Sequence, residues 1–257
     1  MQHSSIRYRR PSLATGFALL LSVGVTPTAG AVEPTDIGGF YARDCVEVSA
    51  IVSVPPANAD VALPDGYTSS SFFGLPGGPG VPGSSSLLMG VETCQSGTID
   101  GVPFDGPFAF GERVLSVDRH DAASGYHFYA VEQVTDNRKV YDLMHGAGFD
   151  IAYLPGVGAT ADAAGGISEG GSVRIVDQAP LPQLPSPLDK VSIWNEAGSG
   201  TKVLRLSVHH PTAQARVGRV SADAGSAMAS LIGTEEATGL GAINRFDFEA
   251  RVESIAR

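Results

Sequence analysis

Glu47, Glu92 and Glu132 each stand inside a run of otherwise apolar residues. A carboxyl on an apolar strand that faces inward loses its hydration, and its pKa rises into a range useful for general acid or base work. Facing outward, or paired with an arginine such as Arg43, Arg113 or Arg119, the same residue is a solvated or structural charge. Tyr126 and His127 open an aromatic run with Phe128 and Tyr129. Those rings fit a strand core as well as the lining of a ligand cavity. Together with Glu112, the candidate catalytic set is Glu92, Glu112, Glu132, Tyr126 and His127. Such a set fits a cofactor-independent lyase or hydrolase in which a buried Glu and a Tyr or His share the proton transfers.

Other chemistry is weakly supported. Gly166, Ser168 and Gly170 satisfy a G-x-S-x-G pattern. A nucleophile elbow needs a strand before its serine and a helix after it, whereas a Gly/Ala-rich stretch precedes Ser168 and a strand-like run follows. His209 and His210 are adjacent, so on a strand they point to opposite faces and do not chelate. His120, His127 and His145 are scattered, and neither a two-His helix motif nor a Cys-based zinc pattern occurs. No metal and no cofactor is expected.

The elements that would position these residues are short and mostly strands. In 44–54, Val46, Val48, Ala50, Val52 and Val54 share one face, and Cys45, Glu47, Ser49 and Ile51 the other. Strands are also expected over 87–94, 113–117, 126–134, 172–176, 190–195 and 203–209. The last strand places Phe246, Phe248, Ala250 and Val252 inward and Asp247, Glu249, Arg251 and Glu253 outward. Short helices are expected over 57–63, over 137–145 with Asp136 as cap, and after Asp223 as cap, where Ala227, Met228, Leu231 and Ile232 precede Gly233. Residues 73–83 form a Gly/Pro loop without a collagen period, a solvent loop or a rim able to gate a mouth. Residues 159–171 and 180–187 read as a Gly/Ala-rich and a Pro-rich connection. This pattern predicts a mainly β (α+β) fold: one closed antiparallel β-barrel with two or three short flanking helices.

The order of segments resembles that of acetoacetate decarboxylase-like proteins. Val54-Pro55-Pro56 through Leu63-Pro64-Asp65-Gly66-Tyr67 is similar to that family's early strand, short helix and L-P-x-G turn. Gly106-Pro107-Phe108 with Glu112 is similar to its G-P-Y-x-E strand. The aromatic strand, Thr135-Asp136-Asn137 and the helix ending near Gly148 are similar to the elements ahead of its active-site lysines. The resemblance spans about 44–154. It implies a cone-like barrel around a largely apolar cavity, with Glu112 at the position of a catalytic-type glutamate. The family's decarboxylases place a lysine pair just after that helix, one of which forms a Schiff base in an apolar pocket. Here the stretch is Phe149-Asp150-Ile151-Ala152-Tyr153, and Lys139 lies at the start of the helix. The departure argues against Schiff-base decarboxylation.

The amino terminus reads as an export signal. Arg7, Arg9 and Arg10 precede an apolar stretch over 13–25, and Ala29-Gly30-Ala31 offers a small-x-small cleavage site. The apolar stretch is shorter than the ~20 residues a spanning helix needs. Cleavage after Ala31 would leave residues 32–257 as a single domain. The chain has a net charge of −10; the segment holds three Arg and no acid, so its loss leaves −13. So acidic a surface argues against nucleic acid and against anionic membrane surfaces as partners. Outside the cytoplasm the two cysteines, Cys45 and Cys94, pair by default as a disulfide. The sequence thus predicts an exported bacterial protein, periplasmic or secreted, that binds a small, mostly apolar molecule in a barrel cavity. The acid-base enzyme is the alternative, and a surface-interaction protein with a filled barrel is a third reading. Oligomeric state is left open.

Overall fold

The computed structural model describes residues 34–71, 84–104, 106–118, 125–165, 171–176, 189–197 and 200–255. The signal-like segment, the Gly/Pro segment over 73–83, the Pro-rich connection and Ser168 lie outside the described residues.

Among the described residues, fourteen strands and three short helices follow in order. They are β1 (Thr35–Val54), α1 (Pro56–Ala62), β2 (Thr68–Ser69), β3 (Ser85–Cys94), β4 (Ser96–Ile99), β5 (Val102–Phe104), β6 (Phe108–Asp118) and β7 (Tyr126–Thr135). After these come α2 (Arg138–Gly146), β8 (Ala152–Tyr153), β9 (Gly158–Ala159), β10 (Ala163–Gly165), β11 (Ser172–Val176), β12 (Lys190–Ala197), β13 (Gly200–Ser221), α3 (Ala227–Ile232) and β14 (Glu236–Ile255).

Seven strands form a ring-like path of hydrogen-bonded neighbours: β1, β3, β6, β7, β12, β13, β14 and back to β1. The expectation of a wholly antiparallel sheet is corrected. β7 pairs with β12, and β7 with β8, in parallel, so the sheet is mixed. A parallel pair needs a crossover of a dozen residues or more, and the long excursion from α2 to β11 supplies it. Residues expected as a Gly/Ala-rich loop carry β9 and β10, which pair with each other and extend through β11 to β13.

Two apolar clusters divide the core by strand face. The first takes Ile51, Leu88, Phe110, Val114, Phe128, Ile193, Leu204 and Phe248 from the inner face of the ring. Val140, Met144 and Phe149, from α2 and the turn after it, join that cluster. The second takes Val48, Ala50 and Val52 from the outer face of β1 and packs them against Val173, Ile175, Val220 and α3. The far ends of β13 and β14, with β11, therefore fold over the back of β1. Glycine permits the approach: a Cβ on Gly218 would lie 2.7 Å from Ala50 Cβ and 2.8 Å from Gly241 Cα.

The helix caps differ from those expected. Asn137 caps α2, its side chain accepting from the N–H groups of Lys139 and Val140 at 3.0 and 3.1 Å. Asp136 is instead drawn to β6, where it accepts from Ala109 N–H at 2.7 Å. Ser226, not Asp223, caps α3, and Gly233 ends it in the left-handed region. The expected disulfide is present and joins β1 to β3 through Cys45 and Cys94.

Candidate functional site

Strand register gathers three carboxyls on the inner face. Glu47 on β1 stands directly opposite Glu92 on β3, and Glu112 on β6 stands opposite Gly90, two residues before Glu92. Successive same-face residues lie one pleat apart, so the three side chains crowd a patch spanning three adjacent strands. Gly90 leaves the room this needs: a Cβ there would lie 2.8 Å from Ser49 Cβ and 3.1 Å from Glu47 Oε1. The disulfide occupies the next inner position on both β1 and β3, two residues from Glu47 and from Glu92, and fixes these strands beside the patch.

Burial dominates the electrostatics. It raises the pKa of Glu47, while hydrogen bonds from Asn244 and Ser49 pull the other way. Asn244, opposite Glu47 on β14, donates through Nδ2 to Glu47 Oε2. Glu92 is held well above the usual carboxylate range by burial, then by Glu112 and Glu47. Burial and the charge of Glu47 push Glu112 up to about 8. Glu47, with its two donors, is the natural seat of negative charge, and Glu112 is protonated at neutral pH.

Beside Glu112, across the β6–β7 pair, stands Gln133. Its side chain is 1% exposed, yet neither its Oε1 nor its Nε2 has a hydrogen-bond partner among the described residues. Glu112 Oε2 is buried without one as well. Buried polar atoms are almost always paired, so these three mark a place where hydrogen-bonding capacity is held in reserve.

The remaining candidates lie elsewhere. Glu132 points to the outer face of β7, where it forms an ion pair with the buried Arg113, one of the arginines the sequence offered as a partner. His127 accepts through Nδ1 from Trp194 Nε1 at 3.2 Å, among a separate group of residues. Tyr126 shares the inner face but sits at the opposite end of β7 from Gln133, with its pKa raised by burial and by Asp189. The structure thus brings Glu92 and Glu112 together and leaves Glu132, Tyr126 and His127 apart from them. Gln133 and Asn244 carried no signal in the sequence, because an amide inside a strand reads as an ordinary polar position.

Lys202 also faces inward and is buried, its Nζ donating to Ser254 Oγ at 2.7 Å. It packs on Gly148, where a Cβ would lie 3.1 Å from Lys202 Cε. A surface groove of about 330 Å³ runs between β1, β14 and the β4–β5 turn, lined by Gly38, Tyr41, Asp100 and Arg251, and includes none of the candidate residues. Among the described residues no three His, Cys, Asp or Glu side chains are gathered as a metal ion would require.

No protein-family model matches the sequence, and no curated protein matches it. Solved structures do match in fold. The enzyme MppR of enduracididine biosynthesis, complexed with pyruvate, superposes with a TM-score of 0.53 at 13% identity, covering 91% of this chain and 96% of its own. The same enzyme with the condensation product of pyruvate and imidazole 4-carboxaldehyde gives 0.54 at 13% identity, covering 95% and 98%. Acetoacetate decarboxylase from Legionella pneumophila gives 0.53 at 10% identity, again covering 95% and 98%. Over nearly its whole length, this chain resembles acetoacetate decarboxylase-like enzymes in fold.

Proposed function

We propose that the ring closes as a barrel and that its interior binds a small, mostly apolar molecule whose polar end meets Glu47, Glu92, Glu112 and Gln133. The observation that carries this reading is the buried amide of Gln133, unpartnered at both polar atoms and set against a carboxyl that is neutral at pH 7. Phe110, Val114, Leu88 and Ile51 flank the patch on the same face, and an apolar ligand body would pack on them. The matched enzymes lend support, since one of them is described with pyruvate bound. We also take the chain to be exported as a single domain after loss of residues 1–31, a reading that rests on the signal-like amino terminus and agrees with the disulfide.

A thermal-shift screen of small aliphatic and aromatic compounds tests the binding reading. A rise in Tm with at least one compound, lost in Gln133→Leu, is the expected result. No shift with any compound would overturn it.

A second reading, an acid-base lyase or hydrolase, draws on the same pair. Glu112 near pKa 8 and the more ionisable Glu47 are two carboxyls pushed apart by their surroundings, as a proton-transfer site requires. It predicts turnover of a bound ligand that Glu112→Gln abolishes without loss of binding. Equal turnover by that variant would rule it out.

A further inference from the structure

The head group of the ligand follows from the hydrogen bonds that the patch leaves unmade. Glu47 is supplied, accepting from Asn244 and from Ser49. Three buried atoms of the patch have no partner among the described residues: Gln133 Oε1, Gln133 Nε2 and Glu112 Oε2. Gln133 is 1% exposed and stands opposite Glu112 on the same face. Its amide therefore presents one open acceptor and one open donor side by side in a plane. Turning that amide over exchanges the two and leaves the pattern unchanged. Glu112, protonated at neutral pH, can accept through a lone pair or donate its proton. An ammonium brings donors only and leaves Gln133 Nε2 unmet; a carboxylate brings acceptors only and leaves Gln133 Oε1 unmet. Either charge also loses its hydration on entering a buried site. A hydroxyl places donor and acceptor on one atom and does not meet both Gln133 atoms in line. A second amide does. Its C=O accepts from Gln133 Nε2, its N–H on the same edge donates to Gln133 Oε1, and a primary amide keeps another N–H for Glu112 Oε2.

We infer that Gln133 and Glu112 form a recognition site for a neutral primary carboxamide carried on an apolar body, paired edge to edge with the Gln133 side chain. The inference rests on the ligand-binding reading above and adds the chemical class of the ligand's polar end. Each hydrogen bond left unmade in a buried site weakens binding by about tenfold. A carboxamide thus gains over charged, hydroxyl and ketone heads by the partners it satisfies, whereas Phe110, Val114 and Leu88 meet the same apolar body in every case.

Hexanamide, pentyl methyl ketone, hexanol, hexanoate and hexylammonium share an apolar chain and differ at the head, and titration calorimetry at pH 7 ranks them on the wild-type protein. Hexanamide is expected to bind at least about tenfold more tightly than each of the others. The ketone is the sharpest comparison, since it keeps the carbonyl and the shape and replaces the NH₂ group by a methyl. Gln133→Leu should weaken hexanamide by about tenfold or more and abolish its lead over the ketone. The ranking is read on the wild-type protein, so it decides the matter even where the variant does not fold. Binding of the ketone, hexanol, hexanoate or hexylammonium as tightly as hexanamide overturns the inference and leaves the ligand-binding reading standing. Binding of none of these compounds also overturns it; a hit elsewhere in the thermal-shift screen then keeps the ligand-binding reading, and a screen without one removes that reading too.

Discussion

The protonation of Glu112 is tied to the stability of the fold. In an unfolded chain its carboxyl ionises near the ordinary value of 4.5, whereas in the fold it does so at about 8. Between those values the native state holds a proton that the unfolded state has lost. Stability is therefore full below about pH 4.5, falls as pH rises toward 8 and flattens beyond, by an amount on the order of several kcal/mol. Glu112→Gln keeps the shape and removes the titration. It should match the wild type near pH 4.5 and exceed it at pH 8 by that same amount, several kcal/mol, in denaturant melts. A wild-type profile flat between pH 5 and 8 would contradict the burial argument. Gln133 makes the complementary case. An unpartnered buried amide costs about 1–3 kcal/mol, so Gln133→Leu should raise the midpoint of unliganded unfolding, although the residue is central to the proposed site. Greater stability with lost ligand binding is the signature of a residue kept for function rather than for folding.

At the scale of elements, the sheet is held in shape where strands approach more closely than side chains allow. Gly218 on β13 lies against Ala50 and Gly241. Gly218→Ala should destabilise by about 1–3 kcal/mol through overpacking. Gly158→Ala, where a Cβ would meet nothing within 4 Å, should be near neutral; equal costs in denaturant melts would show that close approach is not what Gly218 provides. The strands themselves were legible because their periodicity is local. The alternation in β1 already placed Glu47, Ser49 and Ile51 on the face opposite Val48, Ala50 and Val52, and in the structure Ile51 joins one apolar cluster while Val48, Ala50 and Val52 join the other. Pairing was less legible, since the parallel contact of β7 with β12 joins segments more than fifty residues apart and leaves no local mark. The site was legible only in part for the same reason. Glu47, Glu92 and Glu112 each announce themselves as carboxyls among apolar neighbours, but only register puts them together. Period two alone could not separate Glu92 from Glu132, which differ in the face they occupy and in whether an arginine waits there. Caps misread by a few residues, Asp136 for Asn137 and Asp223 for Ser226, have a simpler cause. Several cap-forming side chains stood close together, and Asp136 was taken by β6.

For the whole molecule, the disulfide would connect the proposed export to the integrity of the inner patch. Cys45 and Cys94 are 49 residues apart, and their bond fastens β1 to β3 one pleat from Glu47 and Glu92. Closing a loop of that length reduces the freedom of the unfolded chain by about 4 kcal/mol in the entropy model, with about 2–4 kcal/mol the usual yield. The bond also closes the β1–β3 ladder beside two of the carboxyls, so its loss should affect the site as well as the fold. Cytoplasmic thiols stay reduced, so under the export proposed above the bridge forms once the chain has left that compartment. Three outcomes are therefore expected of the protein expressed with residues 1–31 in place. The mature chain should begin at Val32, read by intact-mass analysis of the extracytoplasmic fraction. It should contain no free thiol, whereas chain made without residues 1–31 in a reducing cytoplasm should contain two. Cys45→Ser with Cys94→Ser should lower unfolding free energy by about 2–4 kcal/mol and weaken ligand binding, because the β1–β3 ladder then frays at the end beside the patch. Reduced and oxidised protein of equal stability and equal affinity would show that the bridge neither supports the fold nor positions the carboxyls.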